Sequence, residues 1–322
     1  MKVEKKHWIP LAVVLCLAIG VASARVLLSV NTANNLVNIF ARANAEQLKI
    51  KWLGNSDSIE TVSPISVQGE LFFAGERVPL EDPEVRERLE RELQLNTYWH
   101  SNTLMAMKMA NRYFDGLEKI LTDNGVPADF KYLPLIESNF RNDVSPAGAV
   151  GFWQFVEGTA KNYGLQVNGE VDERYNIEKS TAAACVYLKR SKEELGNWTL
   201  AAASYNMGLG SAQQRIKDQK TNNFYDMYFN PETSRYIFRM LAMKIIFSNP
   251  KQAGFAVKTE DLYQPYKYKM VDVDTAIPNI ADFAAQYNLK YKHIKILNTW
   301  LREARLTNKD GRKYQLKIME TN

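Results

Sequence analysis

The sequence predicts a mainly α protein, an all-helical central region followed by a small α+β module. Two observations carry that expectation. Apolar residues recur at helical spacing from about residue 83 to 249, and after Pro250 they give way to alternating aromatic and β-branched residues around two short helical stretches. At 322 residues the chain is long enough for a core domain with accessory pieces. Its 46% hydrophobic and 24% charged residues are the proportions of a packed globular chain, which argues against disorder or a repeat array.

The first element is a leader. Lys2, Lys5 and Lys6 precede an apolar run from Trp8 to Val21, and Ala22-Ser23-Ala24 then supplies small residues where a signal peptidase cuts. Apolar residues resume at Val26, Leu27, Leu28 and Val30, which extends the run toward the ~20 residues of a membrane span. Residues 1–24 are therefore a signal peptide or a membrane anchor, and the chain is expected in the cell envelope. Cys16 lacks the small neighbours of a lipid-modified cysteine. Residues 25–95 have the mixed polar and apolar character of an arm or stalk, with a short extended segment around Ile59, Val62, Ile65, Val67 and Leu71-Phe72-Phe73.

Val85, Leu89 and Leu93 open the helical pattern after Pro83, and Leu104, Met107, Met109, Tyr113, Leu117, Ile120 and Leu121 continue it until Gly125 and Pro127. Further helices are expected over residues 180–196, 198–205, 210–219 and 234–247, separated by Gly, Asn or Pro. Residues 96–255 thus form one helical domain. Beyond it, Tyr263, Tyr266, Tyr268, Met270 and Val273 suggest strand, residues 280–287 and 293–300 short helices, and Tyr314-Gln315-Leu316-Lys317-Ile318 a closing strand. Residues 256–322 are expected to be a separate module.

Composition also excludes some functions. The net charge of +5 is spread along the chain without a Lys/Arg stripe, and an exported protein does not meet nucleic acid. His7, His100 and His293 are far apart and lack a cysteine or carboxylate at ligand spacing, so no metal or other cofactor is expected. Cys185 is expected as a small buried hydrophobe.

The chemistry concentrates in four short stretches. In Tyr132-Leu133-Pro134-Leu135-Ile136-Glu137-Ser138-Asn139-Phe140 one carboxylate follows an apolar run, and Pro134 places it beside irregular backbone or a helix end. Half-burial raises a glutamate pKa toward what a general acid requires, although an isolated glutamate is more commonly solvated or capping. Ser145-Pro146-Ala147-Gly148-Ala149-Val150-Gly151-Phe152-Trp153-Gln154-Phe155 offers backbone that can approach a bound chain. Phe152 and Trp153 are either sugar-stacking rings or core, and Gln154 is placed to bind an acetamido group. Tyr205 and Asn206 in Ser204-Tyr205-Asn206-Met207-Gly208 either orient a polar group or mark a helix stop. In Pro231-Glu232-Thr233-Ser234-Arg235-Tyr236, Glu232 and Ser234 suit helix capping and Tyr236 stands apart.

Taken in order, Glu137-Ser138, Gly148-Ala149, Gly151-Phe152-Trp153-Gln154, Tyr205-Asn206-Met207-Gly208 and Glu232-Thr233-Ser234-Arg235-Tyr236 resemble the soluble-lytic-transglycosylase domain. The resemblance implies a lysozyme-like helical catalytic domain, with Glu137 as acid/base, Ser145, Gln154, Tyr205 and Asn206 in the substrate site and Tyr236 supporting Glu137. Phe152, Glu157, Ser204 and Met207 depart from the family pattern, and none of them is the acid/base. More weakly, Ile280-Ala281-Asp282-Phe283-Ala284 and Leu297-Asn298-Thr299-Trp300-Leu301 resemble a LysM domain, which implies a glycan-binding C-terminal module or else a packing extension. The implied partner is the peptidoglycan glycan strand. With Asp143 and Glu157 off the family's acid positions, a single carboxylate implies anhydro-forming cleavage, while a lysozyme-like hydrolase and a non-catalytic wall binder remain the alternatives.

Overall fold

The computed structural model describes residues 65–320 except residue 68; the leader, Cys16 and most of the arm, with Ile59 and Val62, lie outside the described residues. Strands β1 (Leu71–Phe73) and β2 (Glu76–Val78) form an antiparallel hairpin. Its turn places Gly75 at φ 81°, where a side chain is disfavoured. The helices of the next part are α1 (Pro83–Tyr98), α2 (His100–Asp123), α3 (Tyr132–Ser138), α4 (Glu157–Asn162), α5 (Ile177–Leu195), α6 (Trp198–Met207), α7 (Leu209–Gln219) and α8 (Pro231–Ser248). A C-terminal module follows, in the order β3 (Tyr268–Val273), α9 (Ile280–Ala285), α10 (Tyr291–Leu297) and β4 (Tyr314–Met319), with β3 and β4 antiparallel. The expected mainly α fold with a small α+β end is the one found. Among the described residues no helix is long and apolar enough to cross a membrane.

Local chemistry sets the helix ends. The side chains of Asp82, Asn176, Asn197 and Asn230 accept backbone N–H groups from the first turns of α1, α5, α6 and α8. Pro83 and Pro231 stand at first positions, where an amide hydrogen has no helical acceptor. Gly196 and Gly208 end α5 and α6 with φ of 91° and 85°. The capping expected of Glu232 and Ser234 therefore falls to Asn230, two residues before Glu232. Helix α4 was not expected: six residues are too few for a period to emerge.

Phe73, Val78 and Leu80 share one buried core with Leu89 and Leu93 of α1, Leu117 of α2, Leu133, Trp153 and Leu241, and α1 packs along α8. The later part of the stretch expected as an arm is thus built into the helical domain. The expected extended segment at Leu71-Phe72-Phe73 is β1, whereas β2 and the pairing of the two strands are too short to show in the sequence. The hairpin is also hydrogen-bonded to the domain: Glu76 accepts Trp198 N at 2.6 Å, and Thr199 N and Oγ1 at 2.9 and 2.6 Å, all at the start of α6. An anion at a helix N-terminus meets unpaired amides and the positive end of the helix dipole. Glu76→Ala is expected to lower stability by about 2 kcal/mol, as measured by urea unfolding, while Glu76→Gln loses less.

The C-terminal module is joined to the helical domain by a shared core. Val150, Val171 and Tyr175 lie in one buried cluster with Ile280, Ile294, Trp300, Leu301 and Leu316. Backbone pairing reinforces it, with Asp172 N donating to Trp300 O at 2.9 Å and Arg302 N to Glu170 O at 2.8 Å. Thr307 N and Oγ1 donate to Glu170 Oε2 at 2.8 and 2.9 Å, and Thr299 Oγ1 to Tyr175 O at 2.8 Å. Both parts fall within a single compact unit, Ser63–Asn322, where the pattern change at Pro250 had suggested a separate module. Periodicity marks where elements begin but carries no information on which surfaces are apolar against each other.

Candidate active site

Helix α3 brings Glu137 to the wall of a cavity of about 790 Å³. The helix is short because it stops at Asn139, which takes the left-handed conformation at φ 54°. Asn139 Nδ2 donates to Asn102 Oδ1 at 2.7 Å, tying this end to α2. Arg239 of α8 donates to Ile136 O at 2.6 Å, a cation on carbonyls left over at a helix C-terminus. Ser138 Oγ lies 3.0 Å from both Pro134 O and Phe152 O, so the same helix end is held against the next turn. Glu137 is half-buried, and the Tyr236 hydroxyl donates to its Oε1. Burial pushes its pKa above the ordinary carboxylate value; the Tyr236 hydrogen bond and the Arg239 charge oppose this, and the Glu232 charge adds to it.

The turn at residues 145–155 forms the adjacent wall. Ser145 Oγ accepts Ala149 N at 2.9 Å, closing a tight loop. Gly151 stands at φ 76°, where a Cβ would lie 2.1 Å from Arg174 O. Close approach of this glycine is therefore to the chain's own backbone and not to a bound ligand. Arg174 pairs with Asp172 at 2.7 Å and donates to Gly148 O and Phe155 O at 3.2 Å each, so one guanidinium gathers both ends of the turn. Gln154 Nε2 donates to Gly151 O at 2.9 Å and Asp143 O at 3.2 Å, which leaves its carbonyl oxygen without a protein partner on the cavity wall. Phe152 and Trp153 are core, Trp153 being fully buried with its Nε1 on Thr181 Oγ1 at 2.8 Å, so neither stacks on a sugar in this cavity.

The expected residues divide into two groups. Glu137, Ser145 and Gln154 line the cavity. Tyr236, Tyr205 and Asn206 stand behind it. Tyr236 is almost completely buried against Glu137, and both burial and that carboxylate push its pKa well above the usual phenol value. Tyr205 donates to Trp153 O at 2.8 Å, bracing the turn that carries Gln154. Asn206 Nδ2 donates to Glu232 Oε1 at 2.8 Å while its Oδ1 accepts Thr233 Oγ1 at 2.7 Å, so it orients Glu232. As expected, Cys185 is fully buried.

Several wall residues escaped the sequence. Glu232 faces the cavity, as do Glu92 and Arg235, which pair at 2.5 Å with Glu92 only 2% exposed. Trp99, 62% exposed at the junction of α1 and α2, and Leu95 present apolar surface to the same space. Trp99 and Leu95 lie far from Glu137 along the chain, and only a large aromatic at a helix junction hinted at them. Asp143 is on the rim, paired with Arg141 at 3.0 Å, and Glu157 pairs with Lys161 at 2.6 Å on α4.

Tyr236→Phe removes the donor that favours the ionised form of Glu137, so the Glu137 pKa rises further. The alkaline limb of the activity profile is expected to move up by roughly one pH unit, a shift that a purely structural role for Tyr236 does not produce.

A half-buried carboxyl above its ordinary pKa on a cavity wall is an arrangement suited to general acid chemistry. Residues 117–228 match the model of the transglycosylase SLT domain, and residues 269–322 that of the soluble lytic transglycosylase C-terminal LysM-like domain. The chain thus carries an SLT domain followed by a LysM-like domain. It is 28% identical over 244 residues to membrane-bound lytic murein transglycosylase D of Escherichia coli strain K12, covering 73% of this chain and 52% of that protein. The chain therefore spans about half the length of the curated relative it matches. It also resembles the crystal structure of the 70 kDa soluble lytic transglycosylase of Escherichia coli, with a TM-score of 0.38 and 18% identity over 55% of this chain and 33% of that one.

Proposed function

We propose that this protein is a peptidoglycan lytic transglycosylase of the cell envelope, cleaving the β-1,4 bond between N-acetylmuramic acid and N-acetylglucosamine without water. The observation that carries this is the environment of Glu137: a carboxyl whose pKa burial raises, held by Tyr236, on the wall of a cavity of about 790 Å³. Glu137 gives its proton to the bridging oxygen as the bond to the muramyl anomeric carbon breaks. The acetamido oxygen of the same sugar closes on that carbon and takes up the developing positive charge. Glu137, now a carboxylate, removes the proton of the 6-hydroxyl, whose oxygen displaces the acetamido oxygen and leaves a 1,6-anhydro end. The acid is restored, and no second carboxylate or cofactor takes part.

In this reading the free carbonyl oxygen of Gln154 accepts an acetamido N–H, Ser145 contributes to the wall, and Trp99 offers a ring for sugar stacking. Tyr236, Tyr205 and Asn206 act on Glu137, the Gln154 turn and Glu232 respectively. Residues 96–255, with the hairpin and α1 ahead of them, make the catalytic domain, residues 256–322 bind glycan, and residues 1–24 direct export or anchor the chain.

Mass spectrometry of fragments released from purified sacculi tests the proposal: anhydro ends are lighter than reducing ends by one water. Glu232 supplies a sharper test because it is the carboxylate that a hydrolytic pair would recruit. Glu232→Gln is expected to keep anhydro products and to reduce turnover by less than about tenfold. Removing its charge lowers the Glu137 pKa, so the alkaline limb should move down. Reducing-end products that vanish with this substitution identify a hydrolase instead.

A further inference from the structure

We propose that a second cavity, at the seam between the helical domain and the C-terminal module, is a saccharide subsite for an uncharged N-acetylated hexose of the strand held at Glu137. The proposal rests on the lytic reading above. The cavity measures about 350 Å³ and is walled by α2, the linking segment and the module. That volume is within the usual range of small-molecule pockets, about 300–1,000 Å³.

Its lining carries exposed aromatic surface. Tyr266 and Tyr268 are 37% and 39% exposed, yet each ring has a cation fixed over it, Arg112 at 4.3 Å and Lys317 at 4.8 Å. Rings held in this way present flat apolar surface to a sugar at little cost in conformational freedom. The shared core across the seam fixes the walls to each other, so the cavity exists before a ligand arrives.

Charge selects the ligand. Lys317 pairs with Glu178, and Arg112 donates to Gln264 O at 3.0 Å and to the Tyr266 hydroxyl at 3.3 Å. Asp115 and Asn142, also on the wall, have no intramolecular hydrogen bond or ion pair. Arg112 and Lys317 therefore balance Asp115 and Glu178, so the wall carries no net charge and offers no cationic site left over for a lactyl or peptide carboxylate. It suits a neutral sugar whose hydroxyls donate to Asp115 while its acetamido group meets Asn142.

Position supplies the link to the strand. Arg141 and Asp143 line the cavity at Glu137, whereas Asn142 between them lines the seam cavity. One loop is therefore the wall between the two spaces, and a strand that passes over it from Glu137 reaches the seam cavity.

Two measurements test the subsite. A photo-activatable chitotetraose incubated with the full chain is expected to cross-link to peptides containing residues 112–116 and 266–268; labelling confined to the Glu137 cavity overturns the proposal. Tyr268→Ala and Asp115→Arg are expected to raise KM for long glycan strands about tenfold at constant kcat, leaving a short soluble oligosaccharide unaffected. Asp115 is exposed and partnerless, so its replacement reports ligand contact even if Tyr268→Ala disturbs folding. Unchanged long-strand KM in both variants, or equal losses on long and short substrates, overturns the proposal. Cross-linking at the seam by a protein that releases no anhydro product refutes the lytic reading and retains sugar binding there.

Discussion

Glu137→Gln is expected to reduce glycan cleavage by roughly 10³-fold or more, since in the proposed mechanism one group supplies both proton transfers and each is worth about 10²–10⁴. Glutamine keeps the shape and can still accept the Tyr236 hydroxyl, so the fold should persist. The same substitution has a thermodynamic signature. Burial raises the Glu137 pKa, so the folded protein binds this proton more tightly than the unfolded chain does. The resulting stabilisation is fully present below the unfolded value, about 4.3, and is lost as pH rises through the folded value. The glutamine variant does not titrate here, so its stability relative to the parent should climb over that window and then level off. Thermal unfolding of both proteins between pH 4 and neutrality checks this. A constant difference would mean that Glu137 is not held protonated by its site.

Gly151→Ala is expected to be among the most damaging single substitutions in the protein, at about 3–5 kcal/mol. The left-handed backbone at φ 76° disfavours alanine by about 1–3 kcal/mol, and the new Cβ meets the Arg174 carbonyl at 2.1 Å. That carbonyl cannot yield easily. Asp172 and Arg174 are paired and buried, and Val171 and Tyr175 on either side belong to the core shared with the C-terminal module. Gly148→Ala is the control: its φ is 74°, but nothing lies within 4 Å of its Cβ, so only the conformational cost of about 1–2 kcal/mol remains. Chemical denaturation should separate the two variants by at least 1 kcal/mol. The activity of Gly151→Ala should fall as well, because the displaced turn carries Gln154.

Much of this architecture was legible in the chain. Helices α1, α2, α5, α6, α7 and α8 fall where apolar spacing places them, with aspartate or asparagine caps on α1, α5, α6 and α8 and glycine stops on α5 and α6 that local chemistry enforces. The short elements were less so: β1 shows as an extended stretch, but β2 and α4 bury too few residues to leave a pattern. Phe152 and Trp153 show the limit for side chains. An aromatic beside glycines is equally suited to a sugar or a core, and packing against Thr181 and the neighbouring rings is what resolves it.

For the site, the sequence by itself singled out Glu137 only through the ordered motifs that carry the family resemblance, because a lone glutamate near Pro134 is more commonly solvated. It also determined that Tyr236 belongs with Glu137, though only through resemblance. Tertiary structure alone decided the rest. Glu92, Trp99, Glu232 and Arg235 reach the cavity because α1 and α8 lie side by side, and Arg174 supports the Gln154 turn because the C-terminal module packs beneath it. Local propensity acts over a few residues, whereas burial and electrostatics act through space. The raised pKa of Glu137 depends on the second kind of force, which no stretch of sequence displays.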